Sequence, residues 1–133
     1  MADHSPGPII AVVDDDPRIL ESLANLLESA DYAVRQFASA AAMLDGRRLE
    51  EIDCLISDID MPMMDGFELL RVVHAARPEL PIILITGHPE MLSRLPFIDP
   101  GPTQVFKKPF DGQELLAAVG DALRKPPVPG PES

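Results

Sequence analysis

The sequence has a single cysteine, few basic residues and no long hydrophobic run, and each shortage excludes a class of protein. Cys54 cannot form an internal disulfide bond. Eleven Lys and Arg against 22 Asp and Glu give a formal net charge of -11, which argues against nucleic acid as a direct partner. No apolar run approaches the roughly 18 residues of a membrane span. The N-terminal residues lack the pattern of a secretory signal, so we expect a cytoplasmic protein.

The length and the positions of the prolines define the expected domain. A chain of 133 residues predicts one domain with one core. Fifteen residues are proline, against an average usage of about 5%, and several lie at the two ends. We therefore expect an N-terminal tail at 1–8, a folded domain at 9–124, and a proline-rich tail or linker stub at 125–133.

Short apolar runs alternate with segments of helical period, a pattern typical of an α/β fold with a covered parallel sheet. The predicted strands are 9–13, 32–37, 52–56, 82–85 and 104–107. Helices are predicted after Asp16, after Ser39, over 67–76 and over 111–124. Asp16 is the predicted N-cap of the first helix, with Pro17 at the first helical position.

Polar residues follow four of the predicted strands: Asp14 and Asp15, then Asp58, Thr86 and Lys108. Because ligands of open parallel sheets bind beyond the carboxyl ends of the strands, we expect these residues to meet there. Two carboxylates 4 Å apart repel by roughly 4 kcal/mol at an effective dielectric constant near 20, so a cation is needed. Lys108 and a hard divalent ion, Mg²⁺, are the expected cations.

Such a site suits phosphoryl transfer, with Asp58 as the nucleophile and an aspartyl phosphate as the product. Thr86 and Lys108 would stabilise charge on the phosphoryl oxygens. Each residue also has an ordinary structural interpretation. The aspartates can serve as helix caps or turn residues, Thr86 as a strand end and Lys108 as a surface lysine. Their joint placement at four strand ends favours the phosphoryl-transfer site.

The strings AVVDDDPRIL, LISDIDMPMMDGFELL, IILITGH and FKKPF together resemble the receiver domain of two-component response regulators. TGH with the KPF ending is most similar to the FixJ-like branch of that family. The resemblance implies a flavodoxin-like, doubly wound sheet of five parallel strands in the order 2-1-3-4-5, with about five helices.

The resemblance also implies the partners and the metal ligands. Asp58 would accept a phosphoryl group from a phosphohistidine on a sensor histidine kinase or phosphotransfer protein. Mg²⁺ would be bound by Asp15, Asp58 and the backbone carbonyl of Asp60, with Asp14 acting through a water.

The remaining implications concern the phosphoryl contacts and the output. Thr86 and Lys108 would contact the phosphoryl oxygens, and Pro109 would follow a cis peptide bond. The chain would be a regulatory phosphoacceptor, catalysing only its own phosphotransfer and dephosphorylation. It would change a protein-interaction face that serves a downstream protein or output domain, or a phosphorylation-dependent homodimer.

The expected switch region departs from the family pattern. Val105 stands where most receivers have an aromatic residue, and Phe106 should point to the opposite face of the sheet. The predicted fourth helix, between the fourth and fifth strands, contains Pro96, Pro100 and Pro102. Since proline inside a helix costs roughly 3 kcal/mol, this helix should be short, broken or replaced by a loop.

Two alternatives remain open. A phosphorylation-independent, receiver-like interaction module would keep the fold without the switch. A haloacid dehalogenase-like phosphatase would use Asp58 and Asp60 as nucleophile and acid, although Pro62 stands where that family has Thr or Val. Within the receiver interpretation, Asp60 and His88 are candidates to tune the phosphoryl lifetime, and we expect His74 to be exposed.

Overall fold

A computed structural model describes residues 7–46, 49–58, 66–87 and 103–124. These ranges contain five β-strands, four α-helices and one 3₁₀ turn. The strands are β1 (Ile9–Val13), β2 (Ala33–Phe37), β3 (Cys54–Asp58), β4 (Ile82–Thr86) and β5 (Thr103–Lys107). The helices are α1 (Pro17–Glu28), α2 (Ala40–Gly46), α3 (Gly66–Ala76) and α4 (Gly112–Arg124), and the 3₁₀ turn is Leu49–Glu51.

The five strands form one parallel sheet in the order β2-β1-β3-β4-β5, which confirms the expected topology. β3 and β4 are buried along their whole length, because the central strands of a parallel sheet are covered on both faces. The predicted fourth helix falls within residues 88–102, outside the described ranges. The observed α4 is the last helix predicted from the sequence.

The core consists of two apolar layers, one on each face of the sheet. The α2/α3 layer contains, with other residues, Ala40, Met43, Leu55, Leu69, Val73 and Leu84. The α1/α4 layer contains, with other residues, Leu23, Leu27, Ile56, Ile85, Leu115 and Val119. Val105 packs against the first layer and Phe106 against the second, which confirms that they point to opposite faces of the sheet.

The caps of the first two helices agree with the sequence prediction. Asp16 lies at the N-cap of α1 and accepts a hydrogen bond from the Arg18 amide at 2.9 Å, with Pro17 next in the chain. The Ser39 hydroxyl accepts one from the Ala42 amide at 3.0 Å. At its other end, α1 leads to Asp31, whose φ of 72° places it in the left-handed region.

The predicted bounds of β3 were two residues too early. Ile52 is buried, but its carbonyl accepts a hydrogen bond from Arg77 Nη1 at 2.8 Å, and the 3₁₀ turn precedes it. The strand therefore begins at Cys54 and extends through Asp58. Its partners across the sheet include Val13 of β1 opposite Ser57 and Ile85 of β4 opposite Asp58. Asp58 is thus the last residue of a central strand rather than a turn residue.

His74 was expected to be exposed, and this prediction was wrong. It lies one helical turn after the buried Leu70 in α3, so its ring is partly covered. Its Nδ1 atom is buried and has no hydrogen-bond partner among the described residues.

Arg77 joins the end of α3 to the turn that precedes β3. Its Nη1 atom donates to the carbonyls of Leu49 at 2.6 Å and Ile52 at 2.8 Å. We predict that Arg77→Met, which keeps the aliphatic stem, lowers the free energy of unfolding by about 2 kcal/mol in urea denaturation, because both bonds involve a charged donor.

Arg35→Met is the matched control for this prediction. Arg35 forms a partly exposed ion pair with Glu51 at 2.6 Å, and such pairs contribute about 1 kcal/mol or less. Equal losses in the two variants would contradict the role assigned to Arg77.

Candidate functional site

Asp14 and Asp15 lie where the chain leaves β1 and turns into α1. The Asp14 amide donates to the Phe37 carbonyl at 3.1 Å, which extends the contact with β2 by one residue. Its Oδ1 atom accepts a hydrogen bond from the Asp16 amide at 2.8 Å. Asp16 is in turn the N-cap of α1. Asp14 is buried and Asp15 is exposed. The two neighbouring carboxylates therefore face different environments.

Asp58 ends β3, which lies directly between β1 and β4 in the sheet. Only 3% of its surface is exposed. A carboxylate so deeply buried is costly unless a cation or hydrogen-bond donors compensate it.

Lys108 provides a positive charge for both buried carboxylates. Its Nζ atom lies 3.4 Å from Asp58 Oδ1 and 3.6 Å from Asp14 Oδ2. The Lys108 amide donates to the Thr86 carbonyl at 2.8 Å, which holds the residue against the end of β4. The peptide bond to Pro109 is cis, as the resemblance implied.

The electrostatic environment of Asp14 is dominated by burial. The pKa of Asp14 is raised from 3.8 to about 6, mainly because the carboxylate is buried and also because the charges of Asp58 and Asp15 lie nearby. The hydrogen bond from the Asp16 amide and the charge of Lys108 oppose this shift. The site thus holds more negative charge than the lysine offsets.

Three carboxylates at this edge could hold a metal ion. One oxygen from each of Asp14, Asp15 and Asp58 lies within 4.8 Å of the other two. Hard oxygen donors with an excess of negative charge suit Mg²⁺, which binds through one or two carboxylates and keeps several waters. The residues present therefore fit the ion expected from the sequence.

Thr86 is fully buried at the end of β4. In the sheet it lies one position beyond Ile85, the partner of Asp58, and opposite Lys107 of β5. The structure thus brings Asp14, Asp15, Asp58 and Lys108 together and places Thr86 on the adjoining strand end. Asp60 and His88 lie outside the described residues.

Ser57 is a buried polar residue beside the site that the sequence motifs did not single out. It is 1% exposed, and its hydroxyl donates to the Asp58 carbonyl at 3.1 Å. In the sequence, Ser57 is marked by its place between the apolar run that ends at Ile56 and the aspartate at 58.

A model of the response regulator receiver domain matches residues 10–120. The transcriptional regulatory protein FixJ of Azorhizobium caulinodans is 38% identical over 114 residues, covering 86% of this chain and 54% of FixJ. The response regulator protein TodT of Pseudomonas putida is 35% identical over 119 residues, covering 90% of this chain and 52% of TodT. The chain thus spans about half the length of these relatives.

Solved structures show the same architecture. The CheY-like receiver domain protein of Methanospirillum hungatei has a TM-score of 0.80 at 31% identity, covering 88% of this chain and 94% of that one. The BeF₃-activated DrrB receiver domain has a TM-score of 0.78 at 28% identity, covering 90% and 99%. These matches agree with the observed architecture and with the similarity to FixJ. The chain belongs to the response regulator receiver domain family.

Proposed function

We propose that this domain accepts a phosphoryl group on Asp58 from a phosphohistidine of a sensor histidine kinase or phosphotransfer protein. The observation that carries the proposal is the position of Lys108 Nζ, within 3.6 Å of a carboxylate oxygen of both Asp14 and Asp58. A buried carboxylate beside an ammonium and a second, metal-competent carboxylate suits in-line attack on phosphorus.

In the proposed reaction, an Asp58 oxygen attacks phosphorus, an O–P bond forms and the P–N bond to the histidine ring breaks. The bonding electron pair leaves with the ring nitrogen. Lys108 contacts a phosphoryl oxygen with its ammonium group, and the Thr86 hydroxyl donates to another. Asp14, Asp15, Asp58 and the backbone carbonyl of Asp60 would hold Mg²⁺, with Asp14 acting through a water. The bound ion would neutralise charge on the phosphoryl oxygens.

The proposed output is a change in a protein-interaction face, in a folded unit at 9–124 with tails at 1–8 and 125–133. FixJ is a transcriptional regulatory protein, so the downstream partner proposed here is an output domain or a separate regulator. Activation of the similar DrrB receiver by BeF₃, a phosphoryl mimic, supports a phosphorylation-type switch.

No helix in the described ranges is long and apolar enough to cross a membrane. We place the reaction in the cytoplasm, with no direct nucleic-acid contact by this chain.

The decisive experiment is incubation with a small-molecule phosphodonor and Mg²⁺, followed by a phosphate-affinity gel. We predict a shifted band for the native chain and no shifted band for Asp58→Asn, because the amide is not a nucleophile towards phosphorus. Omission of Mg²⁺ should slow the reaction by at least an order of magnitude, since buried negative charge would then repel the donor.

Asp31→Asn is the matched control for Asp58→Asn. It makes the same chemical change at an exposed residue, and asparagine tolerates the left-handed backbone there. This variant should give the same shifted band as the native chain.

A native chain that stays unmodified would favour the phosphorylation-independent interaction module. Turnover of a phosphate ester that requires Asp60 would favour the phosphatase.

The raised pKa of Asp14 predicts a pH-dependent stability in metal-free protein. The folded state binds a proton at Asp14 more tightly than the unfolded state does, so this stabilisation is complete below pH 3.8 and is lost as pH rises through about 6. The free energy of unfolding of Asp14→Asn, measured in EDTA, should therefore rise relative to the native chain by up to about 3 kcal/mol between pH 4 and 7. A constant difference across this range would contradict the assigned pKa shift.

A further inference from the structure

Ser57 introduces a hydroxyl group into the apolar α2/α3 layer. Its partners across the sheet are Val13 and Leu84, both buried members of that layer. The preceding residue on the same face of β3, Leu55, is also fully buried there. A hydroxyl in such surroundings costs free energy unless it is hydrogen-bonded.

The Ser57 hydroxyl meets this requirement through the nucleophile's own backbone. Its Oγ atom donates to the Asp58 carbonyl at 3.1 Å. That carbonyl lies on the carboxyl side of Asp58, the last residue of β3 and the partner of Ile85 in the sheet. The bond thus restrains the peptide plane on the carboxyl side of Asp58 where the strand ends.

The orientation of this peptide plane affects the position of the Asp58 carboxylate. In the structure, Asp58 Oδ1 lies 3.4 Å from Lys108 Nζ, and the carboxylate lies beside those of Asp14 and Asp15. Rotation of the backbone at Asp58 would move the side chain away from both contacts. Small errors of position at a reacting group can reduce rates strongly.

We propose that Ser57 is a positioning residue, whose buried hydroxyl orients the Asp58 carboxylate for phosphoryl acceptance and metal binding. The inference rests on the proposed function of Asp58. It assigns no chemical step to Ser57, which acts only through the backbone of its neighbour.

The test compares Ser57→Ala with Ser57→Thr. The rate of aspartyl phosphate formation is measured against the concentration of a small phosphodonor, and the dissociation constant of Mg²⁺ is measured separately by titration. Ser57→Ala should lower the maximal rate about tenfold, the effect expected from the loss of about one hydrogen bond, and should weaken Mg²⁺ binding. Ser57→Thr keeps the hydroxyl and should restore both values to within about twofold of native.

Cys54→Ala is the matched control, since it removes a small buried side chain from the same strand without a contact to Asp58. It should lower the free energy of unfolding but leave the rate and the Mg²⁺ dissociation constant unchanged. If Ser57→Ala does not fold, Ser57→Cys takes its place, because it keeps the volume but donates only weakly. That variant should also be slow.

The outcomes separate the two proposals. If the native chain is phosphorylated and the Ala or Cys variant reacts at the native rate, the positioning role is overturned while the function stands. The same conclusion follows if Ser57→Thr is as slow as Ser57→Ala. A native chain that is not phosphorylated overturns both.

Discussion

The contact of one ammonium group with two buried carboxylates sets the conditions for the rest of the site. Lys108 lies between Asp14 and Asp58, which are almost wholly withdrawn from water. Removal of the cation from such a buried arrangement is expected to be strongly destabilising. The ammonium reaches both partners because β1, β3, β4 and β5 run parallel, so that the chain leaves all four at one edge of the sheet. The parallel topology is therefore a requirement of the proposed chemistry.

The two apolar layers hold this edge in place. Leu55 and Ile56 of β3 pack on opposite faces, and helices cover each face, so the strand that presents Asp58 is restrained from both sides. Arg77 adds a restraint at the other end of β3 through the carbonyls of Leu49 and Ile52. Rigid support of this kind suits the proposed reaction, in which the Asp58 carboxylate would meet phosphorus along one direction.

The sequence predicted the sheet and the charged residues of the site because both depend on local patterns. Continuous apolar runs marked the buried strands, and aspartates at their ends marked the edge. Features that depend on distant contacts were missed. The start of β3 was misplaced because Arg77, far along the chain, engages the carbonyl of Ile52. The partial burial of His74 was missed because a single polar residue next to an apolar helical face carries no clear signal. Ser57 lies within the string LISDIDMPMMDGFELL, but its hydrogen bond could not be read from that string.

If the carboxylates and Lys108 form one metal-dependent phosphoryl site, the phosphoryl group has to be found on Asp58. Borohydride reduces an aspartyl phosphate to homoserine, which peptide mass spectrometry locates in the sequence. After incubation with a small phosphodonor, we expect homoserine in place of Asp58, at a level that depends on Mg²⁺. Homoserine at another aspartate, or an equal yield at Asp58 without divalent metal, would contradict it.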